Sequence, residues 1–399
     1  MSAALQTELE TEIRHTSDRF ISWLTHDALP VWLHEGVDQR HGGFYEAIDP
    51  ADVKGCSVAK RARVQPRQIY SFIEAGNLGW TGPWQKTVEA GLDWYLAHYR
   101  HPDGTFASAV QPDGTVSDET FDLYNQAFAF FAYSQAAAAL PDRAESLMAD
   151  ARSLLTHLRS EYGHSERGFR EANPDCAPLC SNPHMHLFEA SQALELIDTT
   201  GPWIALTDEI ANLAMDRFID PINGGEREFF DLDWSPMPDD RGRVMEPGHQ
   251  FEWCWLLARW GILRGNAKAI QMARRLYQIG ESYGIDRDRQ VAIMALNDDF
   301  SVRDPLARLW GQTEWIKAAV ILAEHSSGPE RTAYLQDILR ASNALFLYLD
   351  AAPKGLWRDK LNANGEFVEE PAPASSLYHI VCAISELHRF TKEQTLGPS

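Results

Sequence analysis

The chain has 399 residues, 44% of them hydrophobic and 11% aromatic, and its 36 Lys and Arg against 57 Asp and Glu give a formal net charge of −21. So acidic a surface argues against nucleic acid and anionic membranes as partners and suits a soluble enzyme with a neutral substrate. Met1 to Thr16 shows no signal-peptide pattern, no run of about 18 apolar residues marks a membrane span, and five scattered cysteines fit a reducing, cytoplasmic setting rather than a disulfide framework.

Two kinds of segment alternate along the chain. An amphipathic stretch from Leu9 to Leu33 comes first, and VQPRQIYSFIEA follows it, apolar nearly all round and headed by Arg67. Pro83 to Tyr99 is amphipathic again, and FDLYNQAFAFFAYSQA, headed by Tyr124, is the next apolar run. Asp142 to Tyr162 leads to NPHMHLFEASQALEL with His186, and Pro202 to Phe218 leads to EPGHQFEWCWLLARW with His249. Ala267 to Tyr283 precedes RLWGQTEWIKAAVILA with Trp310, and Arg331 to Leu349 precedes SSLYHIVCAISEL with His379. Successive heads stand 57, 62, 63, 61 and 69 residues apart, a period that marks a repeat architecture. Six amphipathic helices alternating with six apolar ones predict an all-α fold. We expect an (α/α)6 barrel of six helical hairpins, a single domain over residues 1–399, in preference to an open helical solenoid.

The links differ in length. Each one from an amphipathic to an apolar helix is long and rich in Gly, Asp and Pro, as in HPDGTFASAVQPDGTVSDET and KGLWRDKLNANGEFVEEPAPAS. Strand-like runs around DG or NG read as short β-hairpins. The reverse links are shorter, so the loops gather where the apolar helices begin, and functional residues favour such loops on a rigid scaffold.

Closure of the barrel would bring Arg67, Tyr124, His186, His249, Trp310 and His379 around one mouth. Aromatic faces with a few polar groups make a plausible sugar pocket. His186 with Glu189 and His249 with Glu252 repeat an H-x-x-E spacing, which puts both members on one helix face. A glutamate there would hold a histidine tautomer or meet a sugar hydroxyl. Helix N-termini disfavour imidazolium, so these histidines are expected to be neutral and able to act as bases. His184 reads as structural. Three converging histidines could also hold zinc, but no compact ligand spacing supports that, nor does Cys176 with Cys180 alone.

The motifs QPRQIYSF, DLYNQAF, NPHMHLFEA, GHQFEW, LWGQTEW and PAPASSLYHI, taken in order, resemble the N-acylglucosamine 2-epimerase superfamily. The likeness spans nearly the whole chain and is nearer to the mannose isomerases and bacterial aldose–ketose isomerases. It implies an (α/α)6 barrel without metal or other cofactor. By position, the family's arginine falls on Arg67, its tyrosine on Tyr124, its asparagine and histidine on Asn182 and His186. Its second histidine and glutamate fall on His249 and Glu252, its tryptophan on Trp310 and its last histidine on His379. Gln312 of LWGQTEW joins the substrate-binding candidates. Pro66 and Gly311 depart from the family pattern without removing a functional side chain.

The expected reaction is D-mannose to D-fructose through a cis-enediol, with a monosaccharide as the only partner and a monomer or homodimer as the assembly. His379 would take the C2 proton. His249, held by Glu252, would assist ring opening, and Arg67 would stabilise the carbonyl oxygen. His186 and Asn182 would bind hydroxyls; Tyr124 and Trp310 would shape the pocket. A 2-epimerase would use the same residues with His249 and His379 on opposite faces. A sulfonated sugar such as sulfoquinovose is a further option; Arg241 and Arg243, just before the His249 motif, could meet its anion, although they read first as a solvated loop. A glycoside hydrolase would need two carboxylates, for which Asp122 and Glu252 are the candidates. A sugar-binding protein would have no need for three histidines.

Overall fold

The structure, a computed structural model, describes residues 3–396. Among them twelve long helices alternate between two rings. The inner ring is α2 (Val64–Asn77), α4 (Leu123–Ala139), α6 (Ser181–Ile197), α8 (Pro247–Arg264), α10 (Leu309–Glu324) and α12 (Ser375–Leu396). The outer ring is α1 (Ala3–Trp23), α3 (Trp84–Tyr99), α5 (Ala144–Tyr162), α7 (Trp203–Leu213), α9 (Ala267–Tyr283) and α11 (Gly328–Asp350). Each inner helix packs on the next, and α12 returns to α2, so the ring is closed. The open-solenoid alternative is thereby set aside.

Sequence and layer agree because an inner helix has neighbours on every side. In α10 every residue from Leu309 to Ala323 is buried. In α5 only one stripe is, including Leu147, Ala151, Leu154, Leu155 and Leu158. Five helix pairs are joined by short links such as Gly265 and Asn266. There Gly265 takes the left-handed conformation (φ 63°) that ends α8, and the Asn266 side chain accepts the Ala269 N–H to start α9. The sixth pair is unlike the rest, because α1 packs against α12.

Two devices organise the loop end. Short strands just before inner helices pair with the loop of the neighbouring repeat: Lys60–Arg61 with Ala109–Val110, Leu179–Cys180 with Phe229–Phe230, and Ala307–Arg308 with Lys360–Leu361. Met245 bridges Leu296, and Ala372 pairs with Ile48, which closes the circle. The second device is a glutamine clamp. In the first turns of α2, α4, α8 and α10, buried Gln65, Gln126, Gln250 and Gln312 each accept one backbone N–H and donate to the carbonyl of the same loop residue. The clamped residues are Phe44, Phe106, Glu226 and Ala292, at 2.8–3.0 Å. Each clamp satisfies two buried backbone groups. In α6 His184 takes this place, its Nε2 accepting the Phe169 N–H at 3.0 Å, and burial pushes its pKa down to about 4. His184 is structural, as expected. No helix among the described residues is long and apolar enough to cross a membrane.

Candidate active site

A cavity of about 490 Å³ opens at the loop end, within the size range of small-molecule sites. Arg67, Tyr124, Asn182, His186, His249, Glu252, Trp310 and His379 all line it. Gln312 does not. Its side chain is wholly buried and spent on the Ala292 backbone, so its predicted role in substrate binding is replaced by a scaffold role. Arg241 and Arg243 are also absent from the lining; they pair with Asp239 and with Asp298 and Asp299 in exposed loops.

The clamps fix which residues share a level. Two positions after each clamp stand Arg67, Phe128, His186, Glu252 and Glu314, and Tyr378 completes the ring from α12. Around this floor the Arg67 guanidinium lies 4.3 Å from the Phe128 ring centroid and 5.5 Å from that of Tyr378. The Phe128 ring lies 4.7 Å from His186, whose Nδ1 is 3.9 Å from Glu252 Oε1. Arg67 donates to the Tyr124 hydroxyl at 2.5 Å, while its Nε is buried without a partner. Among the described residues it has no carboxylate within ion-pair distance, unlike Arg61 on Glu46, Arg63 on Asp122 and Arg308 on Asp359. Asn182 Oδ1 is likewise a buried acceptor without a partner. An unpaired buried donor or acceptor costs about 1–3 kcal/mol, which a ligand oxygen or hydroxyl would recover.

Trp310 stands between two histidines, its ring centroid 5.0 Å from that of His249 and 5.9 Å from that of His379. It fits there because position 248 is glycine, where a Cβ would lie 2.3 Å from the indole. His249 Nδ1 meets Glu228 Oε1 at 2.7 Å, with Glu246 Oε2 3.7 Å away. Burial opposes charging this imidazole, but Glu228, Glu246 and Glu226 outweigh it and hold it well above the usual histidine range. On the other side of Trp310, His379 Nδ1 meets Glu314 Oε1 at 2.8 Å. Burial, with Arg67 and Lys317 close by, holds His379 well below that range. Burial and His249's other neighbours bring Glu246 up to about 7, and burial does the same for Glu171, which also lines the cavity.

Three sequence expectations therefore change. Glu252 does not hold His249, although H-x-x-E puts both on one face of α8. Side chains on a helix tilt toward its N-terminus, so the His249 ring rises to the loop glutamates while Glu252 sits one turn lower, beside His186. The other H-x-x-E pair does form, His186 Nδ1 to Glu189 Oε2 at 3.4 Å. Nor are all the histidines neutral, because carboxylates override the helix end at His249. Finally, Asp122 caps α4 by accepting the Tyr124 N–H at 2.9 Å and pairs with Arg63, so it is a poor hydrolytic carboxylate. Sequence reasoning missed Glu228, Glu246, Glu314, Lys317 and Tyr378. Only the E-x-x-H of Glu246 with His249 offered a local signal.

Among the described residues two groups bring three ligand-type atoms within 4.8 Å: His186, Glu189 and Glu252, and Glu228, Glu246 and His249. In each the histidine faces the carboxylates through Nδ1, so an ion would have to displace the proton shared there. Each of these groups contains one histidine, so the three do not form one zinc-type set.

Comparison with known proteins agrees with this architecture. Residues 39–383 match the family model described as N-acylglucosamine 2-epimerase (GlcNAc 2-epimerase). A protein of Rhizobium meliloti (strain 1021) named mannose-6-phosphate isomerase is 49% identical over 380 residues, covering 94% of this chain and 97% of its own. Among solved structures, a D-mannose isomerase superposes with a TM-score of 0.81 at 19% identity, covering 98% of this chain and 99% of its own. The cellobiose 2-epimerase of Bacillus thermoamylovorans B4167 gives 0.82 at 18%, covering 94% and 100%. A closed ring of helical hairpins with histidines at its mouth, and a family match over most of the length, lead to one conclusion: the chain belongs to the N-acylglucosamine 2-epimerase family of sugar epimerases and isomerases.

Proposed function

We propose that the protein is an aldose–ketose isomerase that interconverts D-mannose and D-fructose without a metal, in one catalytic domain. The observation that carries this reading is the pair of histidines that line one cavity, each on its own carboxylate, with the surroundings favouring the protonated form of His249 and the neutral form of His379. Neutral His379 is suited to take the C2 proton of the open-chain aldose and return it to C1 on the same face. His249, as imidazolium, is suited to donate to a sugar oxygen during ring opening and enolisation. Arg67, the lining arginine without a carboxylate, would meet the oxygen on which charge develops. Asn182 and His186 would bind hydroxyls, and Tyr124 and Trp310 would shape the walls.

A reversible 2-epimerase needs two bases that exchange protonation states each half-cycle. His249 is held as an acid by three carboxylates, which favours the isomerase, where one base does both transfers. The name of the 49% identical relative also points to aldose–ketose chemistry, though on a phosphorylated sugar. Here Arg61, Arg63 and Arg308 are all matched by carboxylates, and Glu171, Glu228 and Glu246 line the same walls. That balance favours a neutral sugar over mannose 6-phosphate.

The test is NMR of EDTA-treated protein with D-mannose in D2O. Fructose, deuterated at C1 or with partial retention of the proton, is the expected product. Glucose deuterated at C2 with little fructose would establish the epimerase instead. Turnover of mannose 6-phosphate alone would overturn the neutral-sugar reading.

A further inference from the structure

Lysine is rarely found wholly buried, yet Lys317 lies in the middle of the apolar helix α10 with its side chain at 0% exposure. Its Nζ is 2.5 Å from Glu314 Oε2, and Glu314 Oε1 is 2.8 Å from His379 Nδ1. The ammonium also lies 3.9 Å from the centroid of the Trp255 ring. Nothing in the proposed chemistry touches Lys317, and taking an ammonium out of water costs several kcal/mol. A group kept there at that cost has an effect on its neighbours.

We propose that Lys317 is a positioning residue whose charge keeps Glu314 ionised, so that Glu314 accepts the Nδ1 proton of His379 and leaves Nε2 as the free base toward the cavity. The proposal rests on the reading of His379 as the proton-transfer group. Glu314 is surrounded by groups that favour its protonated form, and the close Lys317 ammonium is what works against them. Burial, with Glu252 of α8 and Glu189 of α6 nearby, raises its carboxyl, and Lys317 is the principal group opposing that rise. Glu189 itself is stabilised as a carboxylate by His186, by the same Lys317 charge and by the Tyr378 hydroxyl at 2.5 and 2.6 Å. On the His379 side stand Arg67 of α2, His186 and Arg308, which all disfavour a second ring proton. A neutral Glu314 would instead donate to Nδ1, forcing the proton of the neutral ring onto Nε2, the wrong tautomer for a base. The lysine thus decides which ring nitrogen carries the proton, two residues removed from the substrate.

The experiment is 15N-histidine NMR of the full-length protein, with His379 assigned through His379→Asn. Protonated Nδ1 and bare Nε2 are expected in the wild type between pH 6 and 8, and the reverse tautomer in Lys317→Met. The kcat of Lys317→Met should fall about 100-fold with KM little changed. In a Glu314→Gln background the same lysine change should cost less than about threefold, since its effect runs through Glu314. Wild-type protein with the proton on Nε2, Lys317→Met with the wild-type tautomer, or additive losses in the double variant would each overturn the proposal. Should Lys317→Met not fold, the wild-type tautomer and the Glu314→Gln spectrum still decide it. The spectra need no turnover, so failure here is distinguishable from failure of the isomerase reading, which unchanged activity in His379→Asn would signal.

Discussion

The two sides of the cavity present the same local unit with opposite results. His249 meets Glu228 through Nδ1 at 2.7 Å, and His379 meets Glu314 through Nδ1 at 2.8 Å. One imidazole is held above its ordinary range and the other below it. The difference lies behind the carboxylates. Glu228 is backed by Glu226 and Glu246, which add negative charge, whereas Lys317 and Arg67 add positive charge around His379. A hydrogen-bonded carboxylate therefore orients each histidine, and the charges around the pair, adding to the carboxylate at His249 and opposing a second ring proton at His379, set its protonation.

The comparison breaks most directly at the rings themselves. His379→Asn and His249→Asn should each lower kcat by about 10³-fold, within the range of lost acid or base catalysis, measured as mannose–fructose interconversion. Equal activity in either variant would remove that side from the chemistry. Arg67→Ala deletes the group both sides would share, the donor to the developing oxyanion, and should cost about 10²-fold in kcat. An effect confined to KM would make Arg67 a ground-state binder only.

Glu228→Gln sharpens the contrast. Activity needs His249 protonated, so it is lost as pH rises through the His249 pKa, which stands well above 6.5. Removal of the Glu228 charge lowers that value, so the alkaline limb of kcat/KM moves toward neutrality and activity at pH 8 drops about tenfold. The acid limb, which belongs to His379, stays in place. Stability follows the same sign. A raised folded-state value gives a contribution fully present below 6.5 and lost as pH rises through the folded value, so the gap in urea midpoint between wild type and Glu228→Gln should shrink from pH 6 to pH 10.

The smallest catalytic effect is expected from Gln312→Ala, on the same helix as Glu314 but outside both units. It leaves the buried N–H and C=O of Ala292 unpaired, a loss of about 2 kcal/mol in thermal or urea unfolding. The kcat/KM of the folded variant should stay within about twofold of wild type. A large catalytic loss with normal stability would return Gln312 to the substrate.

The architecture was legible because burial on all sides and burial on one face leave different patterns in sequence, repeated six times. The heads of the inner helices were legible for the same reason. Glu228 and Glu246 were not, because their approach to His249 depends on the pairing of Leu179 with Phe230 and on the bridge from Met245 to Leu296. Gln312 was misread although Gln65, Gln126 and Gln250 recur at 61 or twice 62 residues, a spacing that marks scaffold rather than substrate contacts. Lys317 was not legible, since a charge gives no sign in sequence that it faces inward. His249 with Glu252 misled because spacing on a helix fixes a face and not a height.

The pairing of α1 with α12 bears on how the molecule is made. Five hairpins are contiguous and can form while the chain is still leaving the ribosome, but the sixth joins segments more than 350 residues apart. Until α12 is synthesised, α1 lacks that partner, α2 and α10 each expose one flank, and the cavity lacks His379. Such long-range closure is slow and leaves apolar surface open in the meantime. Nascent-chain proteolysis should therefore find α1 the most cleavable outer helix until α12 emerges, and permuted variants that make α12 and α1 contiguous should reach activity sooner during translation.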